Sequence, residues 1–247
     1  MAASDQIPRK SPKQLTPEMK IKVVKNGPYQ VTGGIPLRRL RQVMSPKHEP
    51  LAWEEQPPHD PEGETYLLCR CGRSETMPFC DQTHAKVHFD GAESARTDGS
   101  PLREMTFRHD DGFNVTKILP LCMSAGFCVR TDTTFDELAE LGETQGERDT
   151  VIKMVEDCPA GSLIYRLTPD GEPVEVELGP QIAETIEGVT RGTIRGPIWV
   201  MGYIPIERAD GVPFIPRNRV TLCTCGKSRN KPLCDGTHRL IQNASMR

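Results

Sequence analysis

Residues 223–238 read CTCGKSRNKPLCDGTH, and residues 69–84 read CRCGRSETMPFCDQTH. Each runs C-x-C, eight residues, C, three residues, H. Beyond those four positions the two stretches share Gly72/Gly226, Ser74/Ser228, Pro78/Pro232, Asp81/Asp235 and Thr83/Thr237. Coincidence does not produce such agreement, so the chain contains an internal repeat, and the repeat decides its organisation.

The repeat reaches upstream. Residues 27–37 read GPYQVTGGIPL and residues 196–206 read GPIWVMGYIPI, both G-P-x-x-V-x-G-x-I-P followed by an aliphatic residue. The upstream segments are 169 residues apart and the cysteine motifs 154, so the first copy carries 15 extra residues, over about Ser45 to Gly63. Rich in Pro, His and acids, that insertion reads as a loop. The parse is then a polar, disordered tail (1–19), repeat A (20–91), a linker (92–110), a middle domain (111–178), a short spacer, and repeat B (194–247).

Local patterns fill in the modules. Lys20 to Val24, Tyr29 to Thr32 and Ile198 to Met201 are β-rich and separated by Gly-Pro turns. Asp81 and Asp235 stand where a helix N-cap is wanted. In the middle domain, Phe113 to Leu119 and Ser162 to Leu167 read as strands and Phe135 to Leu141 as a helix. Arg148 to Glu156 is a second helix, with Val151, Ile152 and Val155 on one face. Val174, Val176 and Leu178 alternate with Glu175 and Glu177 as in a half-buried strand. The fold class expected is α+β: two small β-rich repeats around an α+β middle domain.

Composition bounds the function. The 247 residues include nine Cys, 22 Pro and 21 Gly but only 5% aromatics, a lean supply for one deep core. Net charge is -3, which argues against a nucleic-acid binder. The charge-free run Ile118 to Val129 is far short of the ~18 apolar residues of a membrane span. The N-terminal twenty residues have neither the apolar core of a secretory signal nor an amphipathic Arg/Ser pattern, so a cytoplasmic location is expected. In a reducing compartment, clustered Cys points to metal or redox chemistry rather than disulfides.

Three thiolates and an imidazole can hold one metal ion or one small cluster. Zinc sites usually space their first pair two to four residues apart, and here a single residue intervenes. The third triplet is Cys122, Cys128 and Cys158, the last followed by Pro159. Cluster-binding ferredoxins combine C-x2-C-x2-C with a remote Cys-Pro; here Ala125 replaces the middle cysteine. Three buried structural cysteines are the plain alternative.

The pattern C-x-C-x2-S-x3-P-x-C-D-G-T-H of Cys223 to His238 resembles the CDGSH iron–sulfur domain of the mitoNEET type. Repeat A departs once, with Gln82 where the family has Gly. The resemblance implies a 2Fe-2S cluster per repeat, with Cys69/Cys71 and Cys80/His84 on different irons, and Cys223/Cys225 and Cys234/His238 likewise. Family members pair two such domains around a shared β-sandwich. Two copies in one chain therefore imply an intramolecular pseudo-dimer, in a monomer or a homodimer. The middle segment resembles single-cluster ferredoxins of the C-x5-C…C-P type, which hold 3Fe-4S. It also resembles the divergent 4Fe-4S mono-cluster domain, whose members often carry His where Ser124 stands. A fold of two short helices on a small sheet follows, with 3Fe-4S, or 4Fe-4S with a non-Cys fourth ligand, at Cys122, Cys128 and Cys158.

The function expected is electron transfer or redox sensing, with a redox partner protein. Cluster or iron transfer to an apo-acceptor, and a structural zinc-binding interaction module, are the alternatives. An enzyme is not expected: no G-x-G-x-x-G follows a strand, and Gly33-Gly34 belongs to the repeated segment. No nucleic-acid or membrane partner is expected. His48, His59, His88 and His109 have no counterpart in the repeat and read as solvated loop residues.

Overall fold

A computed structural model describes residues 14–98, 104–141 and 144–245. Most of the expected N-terminal tail (1–13) and part of the expected linker (99–103) lie outside the described residues.

Repeat A supplies β1 (Lys20–Val23), β2 (Tyr29–Thr32), β3 (Leu37–Met44), β4 (Pro50–Gln56), β5 (Tyr66–Leu68) and the short helix α1 (Thr83–Lys86). The middle domain contains β6 (Glu104–Arg108), β7 (Asn114–Ile118), α2 (Phe135–Leu141), α3 (Gln145–Asp157) and β8 (Leu163–Arg166). Repeat B follows with β9 (Gln181–Val189), β10 (Gly192–Met201), β11 (Ile206–Glu207), β12 (Arg219–Leu222) and α4 (Thr237–Ser245).

The two repeats exchange strands. One sheet runs β11-β1-β2-β5 and the other β12-β10-β9-β3-β4. Thus β11 of repeat B lies parallel to β1 of repeat A, with Ile21 opposite Ile206. Reciprocally, β3 of repeat A lies parallel to β9, with Leu37 opposite Ile182. The remaining pairings match as well: Ile21 faces Val31 and Ile182 faces Val200, while Tyr29 faces Leu68 and Ile198 faces Leu222. This is the intramolecular pseudo-dimer, and each half completes its sheet with the other's strand.

Burial follows from the layering. The four-stranded sheet has one covered face, and β1 alternates exposed and buried residues. Ile21, Val23, Tyr29 and Val31 pack onto Ile182, Ile198, Val200 and Leu222 of the second sheet. The far face of that second sheet, through Ala183, Trp199 and Met201, is covered by Val115, Phe127, Phe135, Val151, Met154 and Val155 of the middle domain. With both faces covered, β10 is buried almost continuously over its second half.

Several elements differ from expectation. The insertion at 45–63 is not a loop throughout: β4 pairs antiparallel with β3 and forms the edge of the second sheet. Proline is tolerated at the first position of such an edge strand. Trp53 of β4 turns inward, its ring 5.3 Å from Phe127 and 5.8 Å from Trp199. Strand β6 lies within the expected linker, and β9 occupies the expected spacer. Val174 to Leu178 is not a strand. Only Val174 bridges to Tyr165, because Asn218 takes the Val176 carbonyl and Arg219 pairs with Glu175. Helix α3 begins on a capping box between Thr144 and Glu147, and buries Met154 beside Val151 and Val155. Among the described residues no helix is long and apolar enough to cross a membrane.

Candidate metal centres

Each C-x-C leaves the end of a strand, Cys69 after β5 and Cys223 after β12, and a turn brings the third Cys back beside it. Backbone bonds fix the return identically in both repeats. Cys69 N–H donates to the Pro78 carbonyl and Cys223 N–H to that of Pro232, both at 2.8 Å. Cys80 N–H donates to Leu67 and Cys234 N–H to Thr221, both at 2.9 Å. Ser74 and Ser228 hydroxyls donate 2.7 Å bonds to the Phe79 and Leu233 carbonyls. The aspartates brace the turn instead of acting as N-caps. Asp81 accepts the N–H groups of Glu75 and Thr83, and the N-cap position of α1 is Gln82. Asp235 accepts those of Arg229 and Thr237.

The ligand-type atoms fall into pairs. Cys69 and Cys71 sulfurs are 3.7 Å apart, as are those of Cys223 and Cys225. Cys80 Sγ lies 3.4 Å from His84 Nδ1, and Cys234 Sγ 3.4 Å from His238 Nδ1. Two ligands on one tetrahedral ion, at about 2.3 Å for sulfur and about 2.0 Å for nitrogen, sit about 3.4–3.8 Å apart. Each pair therefore has the spacing of one edge of a metal tetrahedron. Among the described residues no three such groups converge as they would on a single ion. The donor set of each repeat, three thiols and an imidazole, fits a small metal centre.

Burial raises three of these thiols. It pushes Cys71 up to about 11, raises Cys80, and raises Cys234 well above the ordinary range. Cys223 and Cys225 share a hydrogen bond that holds Cys223 down to about 6 and drives Cys225 up.

The two cysteine loops touch across the pseudo-twofold. A Cβ on Gly72 would come within 2.8 Å of the Cys225 carbonyl oxygen, and one on Gly226 within 2.6 Å of that of Cys71. With φ of +74° and +72°, both positions exclude other residues by conformation and by contact. Tyr29 adds a cross-repeat tie, its buried hydroxyl donating to the Cys223 carbonyl at 2.8 Å and the Pro232 carbonyl at 3.0 Å.

The sites are otherwise unequal. His238 is 1% exposed, and its Nε2 meets Glu187 Oε1 at 2.8 Å, with Arg239 on the other carboxylate oxygen. A carboxylate on the non-ligating nitrogen fixes ring orientation and tautomer. His84 is half-buried and sits on a four-residue helix with no buried residue. Glu187 escapes sequence reasoning because it lies in the expected spacer, on a strand whose burial does not alternate. Gln82 adopts φ 69° at an exposed position, whereas Gly236 is buried against the middle domain. That packing explains why repeat B keeps the glycine and repeat A dispenses with it.

In the middle domain the loop from Cys122 to Cys128 reverses through left-handed Ser124 (φ 63°) and Gly126 (φ 88°), and Cys158 follows α3. The three thiols are near neighbours. Burial raises Cys122, with Cys158 adding to it; burial raises Cys128 to about 11, helped by Cys158 and Cys122. Ser162 Oγ lies 3.3 Å from Cys158 Sγ. The indole N–H groups of Trp53 and Trp199 are buried without an acceptor, and both rings belong to the apolar cluster that packs Cys158 and Cys234. A group bearing acceptor atoms suits that environment. Three thiols with serine hydroxyls nearby fit a three-thiolate iron–sulfur group.

Two of the supposed loop histidines are engaged. His59 Nε2 meets the buried Glu184 carboxylate of the central strand β9 at 2.7 Å, beside Arg39 and Arg195. His109 Nε2 reaches the Ala139 carbonyl at 2.9 Å.

Comparison with known families agrees with this geometry. The family described as iron-binding zinc finger, CDGSH type, matches residues 26–85 and 195–239. The family described as divergent 4Fe-4S mono-cluster matches residues 109–168, which contain Cys122, Cys128 and Cys158. No curated protein matches the chain, and no solved structure does.

Proposed function

On the premise that this chain carries two CDGSH-type iron-binding domains around a divergent 4Fe-4S mono-cluster domain, we propose that it is a three-centre electron carrier rather than an enzyme. Each repeat would hold a 2Fe-2S cluster through its Cys-Cys pair and its Cys-His pair. The middle domain would hold 3Fe-4S through Cys122, Cys128 and Cys158, or 4Fe-4S with a fourth ligand that is not Cys. Bound there, such groups accept and release single electrons.

The observation that carries this reading is the division of each repeat's donors into a 3.7 Å sulfur pair and a 3.4 Å sulfur–nitrogen pair. The protein's own part is to orient those donors, exclude water and set hydrogen bonds to sulfur. Glu187 holds the His238 ring with Nδ1 toward Cys234, and Ser162 offers its hydroxyl to Cys158. Protein purified anaerobically should be brown, with about seven irons per chain for the 2Fe, 2Fe and 3Fe set. Colourless protein containing zinc would contradict the reading.

A second reading, cluster or iron transfer to an apo-acceptor protein in a reducing compartment such as the cytoplasm, is favoured by one observation. His84 is half-buried on an unpacked helix, whereas His238 is enclosed. Transfer would then proceed from repeat A, and mixing with an apo-ferredoxin should deplete that site alone. Depletion of repeat B first would contradict it.

A further inference from the structure

Gly236 stands between Cys234 and His238, and Ser124 between Cys122 and Cys128. A Cβ on Gly236 would come within 2.7 Å of Ser124 Oγ and 3.1 Å of the Met123 carbonyl oxygen. The ligand loop of repeat B and that of the middle domain are therefore in direct contact, at a position where φ is +81° and the residue is buried. Cys234 itself packs in the apolar cluster that contains Met123, Phe127 and Cys158.

Repeat A meets the middle domain differently. Its contacts run through the β3–β4 hairpin: Gln42 Nε2 donates to the Ala125 carbonyl at 2.8 Å, and Trp53 stacks on Phe127. Its own ligand loop, with exposed Gln82 at the position of Gly236, contributes no residue to that cluster. It touches repeat B instead, through Gly72 and Gly226. Among the ligand loops the order of contact is thus middle domain, repeat B, repeat A.

We propose that Gly236 is a positioning residue that sets the closest approach between the middle centre and the centre of repeat B. It couples those two and leaves repeat A one contact further along. Clusters held by those two loops would accept and release single electrons, one oxidised as the other is reduced, with no bond or proton moved. This inference rests on the reading of three iron–sulfur centres.

The test is pulsed electron paramagnetic resonance on the full-length, anaerobically purified protein reduced with dithionite. The variant His84→Cys shifts the signal of repeat A and so identifies that of repeat B. With the middle centre paramagnetic, the repeat B signal should relax several-fold faster than that of repeat A. Gly236→Gln, which copies repeat A, should narrow the difference. Equal relaxation of the two signals in wild-type protein carrying all its iron would overturn the inference while leaving the three-centre reading intact. Absence of any iron–sulfur signal would overturn both. The wild-type comparison decides the matter even where Gly236→Gln fails to fold.

Discussion

Glu187 Oε1 lies 2.8 Å from His238 Nε2, in a carboxylate that is fully buried and also paired with Arg239. The bond leaves Nδ1 free to face Cys234 and ties the imidazole to β9. Removing a partner of this kind typically costs 10–100-fold in metal affinity. Glu187→Gln should therefore speed chelator-promoted iron loss from repeat B by about tenfold or more, with repeat A unchanged. The loss is followed as the decay of each site's visible absorption. In wild-type protein repeat A should bleach first. Equal decay of the two sites in both proteins would remove the asymmetry from the account.

Tyr29 ties the halves together. Its hydroxyl serves two carbonyls of repeat B, those of Cys223 and Pro232, the latter also accepting the Cys223 N–H. Tyr29→Phe removes the side-chain donor of the Cys223 carbonyl, at a cost of about 1–3 kcal/mol. Thermal unfolding should shift down by several degrees, and the site perturbed should be that of repeat B, although the substitution lies in repeat A. A change confined to repeat A would argue against the strand-exchanged arrangement.

The insertion exists to hold the middle domain. Trp53 packs between Phe127 and Trp199, while Glu49 accepts from the Thr131 hydroxyl at 2.6 Å. Truncating a buried aromatic residue costs about 3–5 kcal/mol. Because Phe127 adjoins Cys128, Trp53→Ala should empty the middle centre selectively. Iron analysis should fall by about three per chain with the absorption of both repeats retained. Uniform loss from all three centres would show that the hairpin supports the whole fold instead.

Loading should release protons. Cys71 and Cys128 are both pushed up to about 11, chiefly by burial, so near neutral pH they carry protons that a metal must displace. The direction is fixed: raising pH towards 9 favours the thiolate and so favours loading. Reconstitution with ferrous iron and sulfide should acidify a weakly buffered solution and run faster at pH 8.5 than at pH 6.5. A rate independent of pH would mean that the thiols enter already ionised.

Much of this architecture is written in local spacing. The repeated C-x-C-x8-C-x3-H, the Gly-Pro strands and the helices α2 and α3 can be read from short windows, since each depends on neighbours in sequence. What escapes depends on distant contacts. Strand β9, QIAETIEGV, has both faces covered and carries buried Glu184 and Glu187, so it shows no alternation and looks like a polar spacer. Strand β4 begins with proline and carries exposed Glu54 and Glu55, which gives it the composition of a loop. The exchange of β3 and β11 leaves no mark in either segment, because parallel pairing between repeats is set by the sheet they complete. Glu187 and His59 acquire partners 51 and 125 residues away.

The central claim is that each repeat divides its donors between two metal positions, one of them bound by histidine Nδ1. Electron–nuclear double resonance on the dithionite-reduced protein, with and without nitrogen-15 histidine, addresses this directly. Both repeats should give signals with a strong coupling to one histidine nitrogen each, and His84→Cys should abolish one coupling while leaving the other. Reduced protein whose iron signals carry no histidine coupling, or whose sites contain zinc, would contradict the account.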